Sequence, residues 1–100
     1  MPISMALDGN GFPVTTVAGW TVILVGSMIE GRKKGKPAVS ISADFLKQQP
    51  VDLSALLSFQ AICQTLFGWT TEDFHPVPDW IRMAFAWQEE QEEECKFRRI

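Results

Sequence analysis

The pattern of apolar and polar residues divides the chain into a first part typical of β-strands and a second part typical of helices. A run rich in β-branched residues occupies positions 20–29, and strict alternation follows over residues 37–46. In the second run the polar positions are Ser40, Ser42 and Asp44. A period of two is typical of a strand with one buried face. We therefore expect a strand in each segment.

Between the two predicted strands lies a short basic segment, residues 31–36. It holds two glycines and four cations between apolar runs, which is a turn signal. The pattern therefore predicts an antiparallel β-hairpin over residues 20–46 with a basic tip. Because both faces of the strand over residues 20–29 carry apolar side chains, we expect it to be central in the sheet or covered on both sides.

Helical spacing begins after Pro50. Asp52 is a good N-cap and Gly68 is a natural terminator, so the sequence predicts a helix over residues 53–67. Its apolar residues recur every three or four positions and should pack on the sheet. They are Leu53, Leu56, Leu57, Phe59, Cys63, Leu66 and Phe67.

A second helix is expected over residues 79–95, with Asp79 as its N-cap. Its first half is apolar on nearly all sides and should be buried, whereas the acidic run after Gln88 should extend into solvent. The predicted fold class is therefore α+β, with one domain over residues 1–100. In this fold a small antiparallel sheet packs against two helices.

Composition and charge narrow the classes of partner. The 100 residues carry a net charge of −3, which disfavours binding to nucleic acid through phosphate neutralisation. The first ten residues lack the basic and apolar segments of a secretory signal. The apolar stretch from Val17 to Ile29 is too short and too interrupted to span a bilayer. We therefore expect a cytoplasmic protein in which Cys63 and Cys95 are reduced and no membrane partner is involved.

Residues that could carry catalysis are sparse. Cys63 and His75, the only histidine, could form a nucleophile–base pair as in thiol hydrolases. Cys63 is expected on the buried face of a helix, however, where a free cysteine acts as a small apolar group. The two cysteines lack the spacing of a zinc site. We predict a protein that is not an enzyme and uses no metal or cofactor, with a thiol enzyme built on Cys63 as an alternative.

Two neighbouring clusters near the C-terminus form the predicted partner-binding surface. One is aromatic and the other acidic, and exposed tryptophans beside charges are typical of interface hot spots. The predicted contact residues are Trp69, Phe74, Trp80, Trp87, Glu89, Glu90, Glu92, Glu93 and Glu94. Such a surface would dock on a basic patch of a protein partner. Residues 80–87 could instead form a homodimer interface.

The predicted function is that of a small non-catalytic protein-binding module. A small size, an acidic run and the lack of a catalytic constellation are typical of accessory or inhibitor proteins that mobile elements encode. This expectation rests on general character and on no sequence motif.

The alternative is a nucleic-acid-associated module that uses the basic tip. Its contact residues would be Arg32, Lys33, Lys34 and Lys36. Cations in such a loop could contact a phosphate backbone. No aromatic residue for base stacking lies within the tip, which disfavours recognition of a single strand.

Overall fold

The computed structural model describes residues 4–98 of the chain, and side chains for residues 4–92. The strands precede the helices along the chain, and they form one antiparallel sheet in the order β1-β2-β3-β4. The elements are β1 (Val14–Val17), β2 (Trp20–Val25), β3 (Met28–Arg32), β4 (Val39–Ser42), a 3-10 helix (Asp44–Lys47), α1 (Leu53–Phe67), α2 (Thr71–Phe74) and α3 (Val77–Arg98). The predicted α+β class is confirmed.

The segment predicted as a hairpin is antiparallel β-structure, but it contains one more turn than the sequence suggested. A tight turn at Gly26 divides the continuous strand expected over residues 20–29 into β2 and β3. Gly26 has a φ of +60°, a left-handed conformation that glycine adopts at low cost. Val25 pairs with Met28 across the turn, so two residues connect the strands. Residues 20–42 therefore form a three-stranded meander.

β1 adds a further strand at one edge of the sheet. Ala18 and Gly19 connect it to β2, and both have positive φ, +48° and +84°. Positive φ at both central residues is what a type I′ hairpin turn requires. At the other edge, β4 keeps the predicted alternation and ends at Ser42, because the 3-10 helix begins at Asp44.

β2 lies inside the sheet, as predicted, but just one of its faces is fully buried. Trp20, Val22 and Leu24 are buried, whereas on the opposite face Thr21 and Val25 are exposed and Ile23 is half-buried. Buried residues of the sheet and of the helices belong to one hydrophobic cluster. The helices therefore cover the inner face, and an antiparallel sheet tolerates solvent on the other.

α1 has the predicted bounds. The Asp52 Oδ1 atom accepts hydrogen bonds from the backbone N–H groups of Ser54 and Ala55, at 2.9 Å and 3.4 Å. At the other end, Gly68 has a φ of +73°, and its N–H donates to the Gln64 carbonyl at 3.1 Å. These contacts satisfy backbone groups that the helix ends would leave unpaired.

α3 begins at Val77, two residues before the predicted start, and Asp79 is not its N-cap. Pro78 lies in the first turn, where a backbone N–H is not needed. The backbone N–H of Trp80 donates to the Pro76 carbonyl at 3.1 Å. Asp79 instead lies in the first turn, where its negative charge suits the helix dipole.

An aromatic cluster at Gly31 attaches the end of α1 to the sheet. A Cβ atom at Gly31 would overlap the Phe67 ring, with the ring Cζ 2.8 Å away. Trp20 packs edge-on against the same ring, with 4.9 Å between centroids, and its Nε1–H donates to the Phe67 carbonyl at 3.0 Å. Trp69 stacks on Phe67 at 4.2 Å. These contacts decide which side of α1 meets the sheet.

We expect Gly31→Ala to lower the free energy of unfolding by about 1–3 kcal/mol, because the added methyl group overlaps the Phe67 ring. Denaturant unfolding followed by tryptophan fluorescence measures the loss. Gly9→Ala is the matched control, since a Cβ there has no atom within 4 Å, and it should change stability by less than about 0.5 kcal/mol. In a Phe67→Leu background the cost of Gly31→Ala should shrink. Equal losses at Gly9 and Gly31 would contradict the steric account.

Candidate functional site

Two of the predicted contact residues, Trp69 and Phe74, lie in the core. Trp69 is 3% exposed and Phe74 is 4% exposed. Phe74 packs against Phe59, with 5.8 Å between ring centroids. The Trp69 Nε1–H is buried and has no hydrogen-bond acceptor among the described residues. The placement of these two side chains on a binding surface is therefore wrong, because a core this small uses their large area.

Trp80 and Trp87 are half-buried. Trp80 packs against the hydrophobic cluster of the core. Next to Trp87, the Gln88 Nε2 donates a hydrogen bond to the Gly26 carbonyl at 3.1 Å, which holds α3 against the β2–β3 turn. Of the aromatic half of the predicted surface, Trp80 and Trp87 therefore remain partly exposed.

The acidic half of the predicted surface follows along α3. Glu89 and Glu92 are exposed, and Glu90 is half-buried. The side chains of Glu93 and Glu94 lie outside the described residues. Because Gln88 contacts the β2–β3 turn, the first of these carboxylates lie near that end of the sheet.

The predicted basic tip is divided between a strand and a loop. Arg32 is the last residue of β3 and pairs with Glu30, whose Oε1 is 2.6 Å from the Arg32 Nη2. Lys33, Lys34 and Lys36 are exposed in the β3–β4 loop, and within the described residues none has a carboxylate at ion-pair distance. This loop and the β2–β3 turn lie at opposite ends of β3. The acidic and basic clusters are therefore separated by the length of a strand.

Exposed apolar side chains lie in two pairs along the flanks of α1, on either side of the face that points away from the sheet. Leu53 and Leu57 are 71% and 66% exposed, and Ile62 and Leu66 are 43% and 49% exposed. A row of small exposed residues lies between these two pairs. The α1 outer face comprises Leu53, Ser54, Leu57, Ser58, Ala61, Ile62, Thr65 and Leu66.

Part of this surface was expected in the core. The inner side of α1 is filled by Phe59, Cys63 and Phe67. Three leucines expected to pack on the sheet lie on the outer face instead: Leu53, Leu57 and Leu66. The sequence does contain a signal for this arrangement, because α1 has no charged residue along its length. A helix whose outer side is merely solvated normally carries charges there.

A cleft of about 610 Å³ joins the C-terminal end of the α1 outer face to the basic loop. Lys33 and Lys36 line it together with Leu66 and Gly68. At the other end of α1, the exposed Asp52 caps the helix through Oδ1. α1 therefore carries no charged side chain along its length, with the Asp52 carboxylate at its N-terminal end and the Lys33 and Lys36 side chains beside its C-terminal end.

The thiol of Cys63 does not suit nucleophilic catalysis. Cys63 is fully buried, and burial raises the pKa of its thiol to about 12. A nucleophilic cysteine needs a thiolate at neutral pH, which requires a lowered pKa. His75, its proposed base, is exposed on the surface. The arrangement supports a structural role for Cys63.

Features of other functional classes are also missing from the described part of the chain. Residues 4–92 contain no group of three or more His, Cys, Asp and Glu side chains that could hold a metal ion. Among the helices that the structure describes, none is both long and apolar enough to cross a membrane.

Comparisons with protein-family models, with curated proteins and with solved structures find no match to this chain.

We expect the Cys63 thiol to react with iodoacetamide at pH 7 at least about a hundredfold more slowly in the native protein than in denaturant, because burial keeps it protonated and inaccessible. A Cys95→Ser background isolates this thiol, and mass spectrometry over time gives both rates. Comparable rates in the two states would restore Cys63 as a candidate nucleophile.

Proposed function

We propose that this protein is a non-catalytic protein-binding module and that the α1 outer face is its contact surface. One observation carries the proposal. A helix of 15 residues without a charge presents four large aliphatic side chains that are 43–71% exposed. Two of them, Ile62 and Leu66, line one apolar depression together with Ala61 and Thr65, and soluble proteins rarely leave large contiguous apolar patches in water unless a partner covers them.

The composition of the α1 outer face supports a protein partner. Depletion of charge at the centre of a patch, with charged groups at its rim, is the usual anatomy of a protein interface. Asp52 and the Lys33–Lys36 loop supply such a rim at the two ends of α1. The aliphatic centre supplies affinity through burial, while the rim favours one orientation of the partner.

The acidic run of α3 takes a secondary role in this proposal. Glu89 and Glu92 are exposed carboxylates on α3, just beyond the Gln88 contact with the β2–β3 turn. Exposed charges of this kind change association rates more than they change affinity. They suit the steering of a basic partner, as the accessory or inhibitor role expected from the sequence would require.

A cytoplasmic location fits the same proposal. Cys63, the one cysteine whose side chain the structure describes, is a free thiol in the core. Free buried thiols are common where the compartment keeps cysteines reduced.

A photo-crosslinking amino acid at position 57 tests the proposed surface in cells that produce the protein. We expect a discrete adduct with one protein, since the side chain at position 57 is 66% exposed and belongs to the proposed contact surface. Ser40 is the matched control position because it is exposed on the outer side of the sheet, and it should give no adduct.

A second change separates specific contact from proximity. Leu66→Lys places a charge on the α1 outer face and should abolish the position-57 adduct, because a buried unpaired ammonium opposes association. Met83→Lys, at a site on α3 that is 51% exposed, should leave it unchanged. Equal adducts at positions 57 and 40 would refute the assignment of this surface.

Nucleic-acid binding through the basic loop is the second candidate function. One surface depression is lined by the four cations of the predicted basic tip, which are Arg32, Lys33, Lys34 and Lys36. Against this, Arg32 is already paired with Glu30 and the whole chain is acidic. These charges leave three lysines to contact phosphates.

We expect binding of a fluorescent 20-base-pair duplex to be no tighter than about 10⁻⁴ M at physiological salt, the weak end of non-specific binding. Fluorescence anisotropy measures it. Tight binding that weakens steeply with salt would move the function to nucleic acid. The binding would be assigned to the loop if the triple variant Lys33→Glu/Lys34→Glu/Lys36→Glu loses it and the control Lys47→Glu keeps it. Lys47 lies outside the loop.

A further inference from the structure

The cleft at the C-terminal end of α1 lies between that helix and one end of the sheet. Trp20 begins β2, Val39 begins β4 and Lys33 follows the last residue of β3, so the strand residues of the lining come from a single end of the sheet. On the other side, Leu66 and Gly68 belong to the last turn and the cap of α1. The volume of about 610 Å³ falls within the range of roughly 300–1,000 Å³ that is typical of ligand-binding clefts.

The lining of this cleft contains two ammonium groups and no carboxylate. Lys33 and Lys36 are exposed, and neither has an ion-pair partner among the described residues. Other donors of the lining are already used, because the Trp20 indole N–H and the Thr65 hydroxyl donate to backbone carbonyls at 3.0 Å and 2.9 Å. An ammonium group donates hydrogen bonds and accepts none. The occupant that complements this cleft therefore supplies an anionic acceptor.

The cleft continues into an apolar depression on α1. Ala61, Ile62, Thr65 and Leu66 line this depression, which has a volume of about 340 Å³, and the last two residues also line the cleft. One occupant can therefore place an apolar side chain in the depression and an anionic group in the cleft. Neighbouring residues of a polypeptide offer this combination, since the backbone holds an aliphatic side chain and a carboxylate a few ångströms apart.

We propose that the segment of the protein partner that occupies this cleft is acidic. An Asp or Glu carboxylate of the partner binds Lys33 and Lys36, and an apolar neighbour fills the adjacent depression. This inference rests on the proposed function, because it names the chemistry of the partner at the α1 outer face. Charge complementarity selects the occupant, since two ammonium groups covered by an interface oppose association unless an anion pairs with them.

The acidic run of α3 is compatible with an acidic segment in the cleft. Its carboxylates begin beyond the Gln88 contact with the β2–β3 turn, whereas the cleft lies at the opposite end of β3. The two regions therefore meet different parts of a partner, and the cleft end accepts the acidic part.

Photo-crosslinking at position 65 tests the inference in cells that produce the protein, because Thr65 is exposed and lines both the cleft and the depression. Mass spectrometry of the adduct should place an Asp or Glu of the partner within about three residues of the crosslinked site, since three extended residues span about 10 Å. A mapped segment without a carboxylate would overturn the inference. An adduct with nucleic acid, with a second copy of this chain or within one chain would overturn it as well.

Two lysine variants of equal charge test the cleft itself. Lys33→Gln/Lys36→Gln should lower the yield of the position-65 adduct by at least about tenfold, because charge-assisted hydrogen bonds to the partner are lost. The matched control is Lys34→Gln/Lys47→Gln, whose lysines do not line the cleft, and it should lower the yield by less than about twofold. Lys33→Arg/Lys36→Arg should keep the adduct, because the charge remains. Equal losses in the two Gln variants would indicate general steering by positive charge and refute a specific site.

A synthetic peptide of the mapped segment tests the pairing with purified protein. In isothermal titration calorimetry, changing its Asp and Glu residues to Asn and Gln should raise the dissociation constant by at least about tenfold. In Lys33→Gln/Lys36→Gln the same change should raise it by less than about twofold, because the carboxylate then has no partner to lose. Equal effects of the peptide change on both proteins would show that the carboxylate binds elsewhere.

The outcomes separate this inference from the proposed function. A position-57 adduct that persists without a position-65 adduct, or beside one that does not depend on Lys33 and Lys36, overturns the acidic segment and leaves the binding function standing. Absence of adducts at both positions removes the function and the inference together.

Discussion

The position of α1 depends on the Phe67 ring occupying the space above Gly31. A side chain at Gly31 would overlap that ring, so the strand and the helix can approach closely only where the strand has no Cβ. Trp20 then donates a hydrogen bond to the Phe67 carbonyl and packs edge-on against its ring, while Trp69 stacks on the same ring. With this end anchored, the rotation of α1 about its own axis is set. The inner and outer sides of the helix are a consequence of that one contact.

With α1 held in this orientation, the core has room for the aromatic residues, and leucines of α1 stay outside it. Phe59, Cys63 and Phe67 fill the inner side, and Phe74 and Trp69 complete the packing around them. A domain of this size has little interior volume, and large aromatic side chains occupy it efficiently. The aliphatic residues on the far side of α1 therefore meet water, and their burial in an interface would recover the stabilisation that the core cannot provide.

The charged residues of the chain form two groups, one that borders α1 and one that lies away from it. The acidic residues of α3 begin at the β2–β3 turn, while the lysines of the β3–β4 loop lie at the opposite end of the strand and border α1. A net charge of −3 thus conceals two regions of opposite sign. Since steering depends on local charge and affinity depends on buried area, the two kinds of surface serve different steps of association.

Local chemistry allowed the sequence alone to determine the α+β class, the bounds of α1 and the alternation in β4. Asp52 and Gly68 act on neighbouring backbone groups, and a period of two or 3.6 can be read along the chain. The turn at Gly26 and the early start of α3 depend on single residues that fit more than one local structure. Which apolar residues are buried was decided by the tertiary structure. Trp69, Phe74 and the α1 leucines are all apolar, and a one-dimensional pattern shows that each could be buried. The limited volume of the core and the Phe67–Gly31 contact decide which of them are.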